Sequence, residues 1–485
     1  MKFVIVGGGI TGWLSALVLS VRQPSHEYLI IESPDINTIG VGEGTTGFFM
    51  NVIDNIPNIS IKEFLKETKA TPKIGIEFTN WSNKNSNFFN PIDGTSTTRN
   101  IFDSLIYYTY IQNKSLDTSS LHGFMKRMKK TPFFLQSGEL KNYITALHLD
   151  NKLTVKYLKK KALDSKNLNY VSDTVSKVER DENGNVIKLV CDNTFIEGDI
   201  FIDCTGFGRI FSKKSDWISF ENNLPMNSVT TFTRKKEKAI NCITKSNALS
   251  SGWSWQIPTQ ERIGCGYVNC DRFISQDEVI DEIKFNYPDA EIKNTFKFNS
   301  GKLKNSWNNN VISIGLAYHF LEPLQATNIH LTLIQLDVLC QKYISNTKEN
   351  TLNKSIISSY NKFIDSLIEN FKNFINIHYS GGRDDTKFWK SISSGEHITD
   401  FNKDIIGILK IRGLFATDLP YLFGGSGIGL WGHTLLGLNH ISKEQCNSFL
   451  KDNGFYNQGR DAFLRLEANT EYMPYLTCEE LVDNL

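Results

Sequence analysis

No apolar run in this 485-residue sequence approaches the ~18 residues of a spanning helix, so no membrane segment is expected. Neither charge is in excess: 53 Lys and Arg stand against 52 Asp and Glu, leaving a formal +1. No global basic field is available to hold nucleic acid or an anionic membrane surface. The short basic run Lys126-Arg127-Met128-Lys129-Lys130 reads as a solvated helix face. Zinc chemistry is missing as well. The eight cysteines include no C-x-x-C pair, and their spacings fit no zinc module, so no metal site is expected. Several sit in apolar, strand-like contexts where a free thiol acts as a small hydrophobe, which suits a reducing cytosol. No leader precedes the first strand, and a cytoplasmic location is expected.

What is present is ordinary for a globular protein: 40% hydrophobic and 22% charged residues. The length suggests two or three packed lobes. Nothing in the pattern fixes an oligomeric state, and a homo-oligomer is compatible with it.

The first chemical signal is at the N-terminus. Phe3-Val4-Ile5-Val6 is a short buried strand, Gly7-Gly8-Gly9-Ile10-Thr11-Gly12 follows, and Trp13 to Val21 continues as an apolar helix. This is G-x-G-x-x-G between strand and helix. Gly7 permits the tight turn, Gly9 lets a pyrophosphate approach the backbone, and Gly12 allows close helix–strand packing. The helix N-terminus supplies free N–H groups and partial positive charge. A second strand, Tyr28 to Ile31, ends in Glu32, which is 20 residues after Gly12 (32 − 12) and placed for a ribose hydroxyl. These residues point to a dinucleotide. The glycine-rich stretch Gly40-Val41-Gly42-Glu43-Gly44-Thr45-Thr46 follows so soon that FAD is favoured over a nicotinamide. Further strands at 198–204 and 311–314 suit closure of the same sheet, the later one ending in Gly315. It leads through Leu321-Glu322-Pro323-Leu324-Gln325-Ala326-Thr327 into a helix from Asn328 to about Ile344. A long amphipathic helix is expected within 353–378 from the spacing of Tyr360, Phe363, Leu367 and Phe371.

The second signal is SGWSWQIP at 251–258. Residues two apart on a strand share a face, so Trp253 and Trp255 stand side by side. They are either core packing or a wall beside something reactive. In Lys73-Ile74-Gly75-Ile76-Glu77-Phe78, the apolar residues alternate and Lys73, Gly75 and Glu77 share the other face.

Taken in order, GGGITG (7–12), KIGIEFTNW (73–81), GDIFIDCTGF (198–207), SGWSWQIP with GCGYV (251–258, 264–268) and FLEPLQAT (320–327) resemble the flavin-dependent tryptophan-halogenase family. HYSGGRDDTKFW (378–389) adds a looser match, one residue short between Tyr379 and Arg383.

The resemblance implies an α/β fold. It would be an FAD-binding, Rossmann-like domain of the aromatic-hydroxylase type with an inserted substrate sheet and a mainly helical C-terminal region. Residues 1–345 would form the discontinuous FAD domain, with about 82–140 and 215–300 inserted on the substrate side. Residues 346–485 would cap it. The resemblance also implies the chemistry. Reduced FAD and O2 convert chloride, bromide or iodide to hypohalous acid, which reaches Lys73 beside an aromatic substrate. Trp253, Trp255, Ile257 and Pro258 would line the wall and tunnel. Gly7, Gly9, Ile10, Thr11, Gly12, Glu32, Val41, Gly42, Val175 and Gly315 would hold FAD. The backbone N–H groups of Thr327 and Asn328 would hold halide. A separate flavin reductase would supply FADH2, since only one strand–glycine–helix unit is present.

Two departures stand out. The family usually reads E-P-L-E, with the second glutamate beside the reacting ring. Here that position is Gln325, and Glu322 matches the first glutamate. An amide orients a partner by hydrogen bonds but cannot act as a base or counter-charge. Either another acid takes over, or the substrate needs less help, as a phenol or other electron-rich ring would, and tryptophan is then not the expected substrate. Asn328 also replaces the usual Gly. Two alternatives remain: an aromatic hydroxylase of the same fold, and a catalytically silent flavin-binding protein.

Other features have plainer readings. His148 and Asp150 are expected as structural residues on a helix. Residues 423–429 are expected as a flexible loop or substrate lid. Phe88-Phe89-Asn90-Pro91 either lines the pocket or forms a packed turn.

Overall fold

A computed structural model of the chain describes residues 1–36, 40, 42–92, 104–344, 351–419, 427–470 and 474–485. Val41 and residues 423–426 of the expected loop lie outside them.

The first strand, Lys2–Val6, sits at the centre of a six-stranded sheet. Glu27–Glu32 and then Leu168–Ser172 pair parallel on one side. On the other side Ile200–Asp203 and then Val311–Ser313 pair parallel, and Trp307–Asn308 closes the edge antiparallel. Parallel strands covered on both faces need continuous apolar runs. Phe3, Val4, Ile5, Ile200, Phe201 and Ile202 meet that need and are completely buried. Strand order reverses at Lys2–Val6, so a crevice opens at its C-terminal end, directly at the glycine loop.

The second sheet has seven strands. Their order is Glu291–Lys297, Ser228–Lys235, Arg262–Asn269, Gly252–Pro258, Ile243–Leu249, Gly75–Thr79 and Asn87–Pro91. All neighbours are antiparallel except Ile243–Leu249 with Gly75–Thr79. Between the two sheets lies a three-stranded one in the order Glu43–Gly44, Ala146–Leu149, Thr71–Lys73. Beyond residue 351 the described chain forms helices and no ladder strand, beginning with Lys354–Asn376. That helix is the expected amphipathic one. Tyr360, Ile364, Leu367, Ile368 and Phe371 are buried, and Asn353 caps its first turn. No helix among the described residues is long and apolar enough to cross a membrane. All eight cysteines are buried free thiols.

The structure corrects several local expectations. Residues 143–150 do not form a helix. Ala146–Leu149 is a strand held between two others, and Asp150 caps the next helix by accepting from Lys152 and Leu153 N–H. Sheet pairing overrides a helical reading there. Asn87–Pro91 is not a packed turn but a largely buried edge strand, where Pro91 needs no second ladder partner. Lys73–Phe78 is not one strand: Lys73 ends one and Gly75 begins another in a different sheet. Residues 427–429 open a helix, Gly427–Gly437. Lys126 is not simply solvated, because its Nζ pairs with Glu77 at 2.8 Å and Asp117 at 3.1 Å.

Candidate active site

Close packing of backbone shapes the glycine loop. Gly7 has φ +116°, and a Cβ there would meet the Cys204 carbonyl oxygen at 2.4 Å. A Cβ on Gly12 would lie 1.8 Å from the Gly7 carbonyl oxygen. Gly9 differs, because its Cα faces open space. It is also the N-cap of the helix Ile10–Arg22 and offers no capping side chain. The first-turn N–H groups of Ile10, Thr11 and Gly12 are therefore available to an anion. Gly315, at φ +60°, closes the late strand onto this helix; a Cβ would sit 2.8 Å from Thr11 Oγ1. Glu32 ends its strand beside Gly8 and pairs with Lys159 at 2.7 Å. Asp173 N–H donates to the Glu32 carbonyl, which brings Val175 into the same neighbourhood. An open, uncapped cradle with an acid at its rim fits a dinucleotide such as FAD.

The next loop links this cradle to the second sheet. Gly42 lies against Ile257 and Gly264, with a Cβ 3.4 Å from Ile257 Cγ2. Pro258 is fixed nearby, its carbonyl accepting from Thr71 Oγ1 at 2.6 Å.

Lys73 is fully buried. Its Nζ donates to the Thr45 carbonyl at 3.0 Å, and no carboxylate pairs with it among the described residues. Burial alone brings the amine down to about 7. His148 lies near the same amine, its ring bonded to Thr71 Oγ1 and Thr244 Oγ1. Burial and then the Lys73 charge hold it well below the usual imidazole range. Gly44 spaces the lysine from the turn opposite. A Cβ there would lie 3.0 Å from Lys73 Nζ and 3.2 Å from Ala326 Cβ.

That turn is strained. Gln325 (φ 65°) and Ala326 (φ 54°) are consecutive left-handed residues, neither of them glycine. They deliver the chain into the helix Thr327–Val338, whose first N–H groups, including those of Thr327 and Asn328, have no intrahelical partner. Thr327 Oγ1 and Asn328 Oδ1 are buried there without a hydrogen bond.

The two indoles lie against one another. Trp253 and Trp255 have ring centroids 6.1 Å apart. Trp255 lies over Gly266, where a Cβ would come within 2.1 Å of the indole, so the glycine of GCGYV makes room for it. Trp253 Nε1 donates to Tyr379 Oη at 3.1 Å, and Tyr379 donates to the Glu322 carboxylate. Glu322 is completely buried, and desolvation raises it to about 7. Three residues on, Gln325 Nε2 meets His378 Nε2 at 2.9 Å. Trp81, from the lysine motif, sits among Trp253, Tyr379, His378 and Trp389 at 5.8 to 6.2 Å.

The expected site residues thus fall into two neighbourhoods. Gly7, Gly9, Ile10, Thr11, Gly12, Glu32, Val175 and Gly315 gather at the cradle. Lys73, Gln325, Thr327 and Asn328 gather around the turn, with Trp253, Trp255, Ile257 and Pro258 along the wall. Glu322 is linked through Tyr379 to Trp253. The sequence reading missed the roles of His378, Tyr379, Trp81 and Gly44. Each lies in a stretch singled out above, but no spacing rule reveals a partner 53 or 57 positions away.

Comparison with known proteins gives the family. The tryptophan halogenase family model matches residues 2–447. Tryptophan 7-halogenase RebH of Lentzea aerocolonigenes is 28% identical over 428 residues, covering 80% of this chain and 78% of that protein. Among solved structures, Tar14, a tryptophan C-6 flavin-dependent halogenase (chlorinase) from taromycin biosynthesis, superposes with a TM-score of 0.87. It is 23% identical and covers 100% of this chain and 99% of its own. A tryptophan halogenase from Shewanella frigidimarina gives a TM-score of 0.86 at 21% identity, with 100% and 97% covered. The chain belongs to the tryptophan halogenase family of flavin-dependent enzymes.

Proposed function

We propose that this enzyme halogenates an electron-rich aromatic ring, indole or phenol-like, using FADH2, O2 and halide, through hypohalous acid delivered to Lys73. The supporting observation is Lys73 itself: a buried amine with no counter-ion among the described residues, donating to the Thr45 carbonyl, opposite a strained turn and an uncapped helix. FAD would be held by the Gly7–Gly12 loop, Glu32, Gly42, Val175 and Gly315, and reduced FAD with O2 supplies the oxidising equivalent that turns halide into hypohalous acid. Halide would rest on the N–H groups of Thr327 and Asn328.

Lys73 then acts in one of two protonation states. As an ammonium it donates to the hypohalous oxygen, which leaves as water while halogen bonds to ring carbon. As a neutral amine it takes halogen on nitrogen, releasing water, and passes it to the ring. In either case the ring carbon finally loses its proton. Burial keeps both states accessible near neutrality. Trp253 and Trp255 keep the ring away from the flavin side, so oxygen is not transferred directly. Glu322 is the remaining acid of the loop; Tyr379 engages one of its oxygens, and Oε1 is left without a hydrogen bond among the described residues.

In this reading residues 1–345 are the FAD-binding unit, with 82–140 and 215–300 inserted toward substrate, and 346–485 cap it. The protein works in the cytoplasm with a separate flavin reductase.

The test supplies FAD, a generic flavin reductase, NADH and O2. Indoles and phenols are offered with chloride, bromide or iodide in parallel, and products are read by mass. Halide-shifted products that disappear in Lys73→Ala are expected. Products gaining only oxygen would make the enzyme a hydroxylase. FAD binding without product from any ring would favour the silent reading, for which Gln325 is the supporting residue.

A further inference from the structure

The amide of Gln325 has one chemically sensible orientation, and His378 sets it. His378 Nδ1 lies 2.9 Å from the Phe374 carbonyl oxygen. A carbonyl only accepts, so Nδ1 carries the proton. Burial lowers the imidazole to about 4, so the ring is neutral and its Nε2 presents a lone pair. Only the amide nitrogen of Gln325 can donate to that lone pair, and it stands 2.9 Å away. The carbonyl oxygen, Oε1, is thereby turned away from His378, and it takes no hydrogen bond from any described residue. Neither partner can easily rotate. The imidazole is wedged among Phe78 at 5.1 Å, Phe374 at 5.3 Å and Trp81 at 6.1 Å. Gln325 is held in left-handed backbone, next to the alanine that Gly44 spaces from Lys73 Nζ.

We infer that His378 is a positioning residue that locks Gln325 with its carbonyl oxygen toward the substrate space beside Lys73, so the site selects aromatic rings carrying an N–H or O–H donor. This deepens the proposed function and rests on it for one point only, that the ring binds beside Lys73. The acceptor is uncharged. It fixes a ring by its donor edge but offers little to a cationic ring intermediate, which suits rings that delocalise that charge themselves.

Binding tests this without turnover. Isothermal titration calorimetry of the FAD-loaded protein compares indole with indene, and 2-naphthol with 2-methylnaphthalene. Each pair matches in size and differs in the donor. The donor-bearing ring is expected to bind about tenfold tighter, the scale of a buried hydrogen bond whose loss strands its partner. That preference should vanish in Gln325→Met, which keeps the length and loses the acceptor. It should also collapse in His378→Phe and largely return in His378→Gln, whose carbonyl can again receive the amide N–H. Far-ultraviolet circular dichroism and thermal unfolding confirm that each variant is folded. Equal binding within both pairs, no measurable binding of any of the four rings, or a preference that survives Gln325→Met would each overturn the inference. Donor preference without halogenated product would leave it standing and remove the halogenase reading. Halogenation with no donor preference would do the reverse.

Discussion

The phosphate cradle and the lysine chamber lie in one chain but are built by opposite means. The cradle is backbone: glycines at 7, 9 and 12, carbonyl against Cα, a helix end with no cap. Lys73 and its surroundings are side chains, drawn from segments near residues 44, 73, 253, 325 and 378. In the first, shape is fixed by what cannot be added. In the second, chemistry is fixed by what each group touches. The difference teaches where damage should appear: cradle glycines closed in by backbone tie folding to cofactor, the open Gly9 separates the two, and in the chamber the loss of the Lys73 amine moves activity and stability in opposite directions.

The sharpest break is Lys73→Met. If Lys73 acts as proposed, halogenation should fall more than about a hundredfold with the loss of its amine. Stability should move the other way. With the folded amine near 7 and the free one near 10.5, the unfolded chain binds the extra proton between those values. Wild-type stability therefore rises with pH across that window and is lowest, and flat with respect to this group, below about 7. Urea unfolding at pH 6.5 should find the Met variant more stable by on the order of 2 kcal/mol, and the gap should close toward pH 10.5.

The cradle gives a matched contrast. Gly12→Ala drives a Cβ into the Gly7 carbonyl and should cost about 3 kcal/mol as well as FAD affinity. Gly9→Ala meets nothing in the protein. Its unfolding free energy should change by less than about 0.5 kcal/mol, while FAD binding followed by flavin fluorescence weakens about tenfold. If Gly9→Ala left FAD affinity unchanged, the open face of the loop would not be where the pyrophosphate lies.

A smaller effect is expected at the wall. Tyr379→Phe removes the group that joins Trp253 to Glu322 and leaves both without it. About 1–3 kcal/mol of stability should be lost. The share of consumed oxygen appearing as hydrogen peroxide should rise severalfold as the indole loses its anchor. Lost stability with unchanged coupling would make the bond purely structural.

The same contrast explains what was legible in the sequence. The cradle is contiguous, and its glycines, strand, helix and acid could be read in order, as could the resemblance carried by the tryptophan pair. Lys73 could be singled out, but its burial could not, because that depends on the short sheet formed by residues 43–44, 71–73 and 146–149. That sheet also turned the expected helix at 143–150 into a strand. Glu322 and Gln325 differ by three positions, yet one is sealed by Tyr379 and the other steered by His378. Neither outcome is local, so no periodicity carries it.

The inward placement of all eight thiols has a consequence of its own. Hypohalous acid reacts readily with thiolate sulfur, and under the proposed mechanism the protein itself would meet any escaping molecules first. Here every sulfhydryl lies beneath the surface, and desolvation pushes Cys204, Cys340 and Cys446 up to about 12, keeping them protonated and poorly nucleophilic. If the proposed mechanism holds, this placement would spare the sulfur over repeated turnovers, and a thiol moved to the surface would shorten the enzyme's working life.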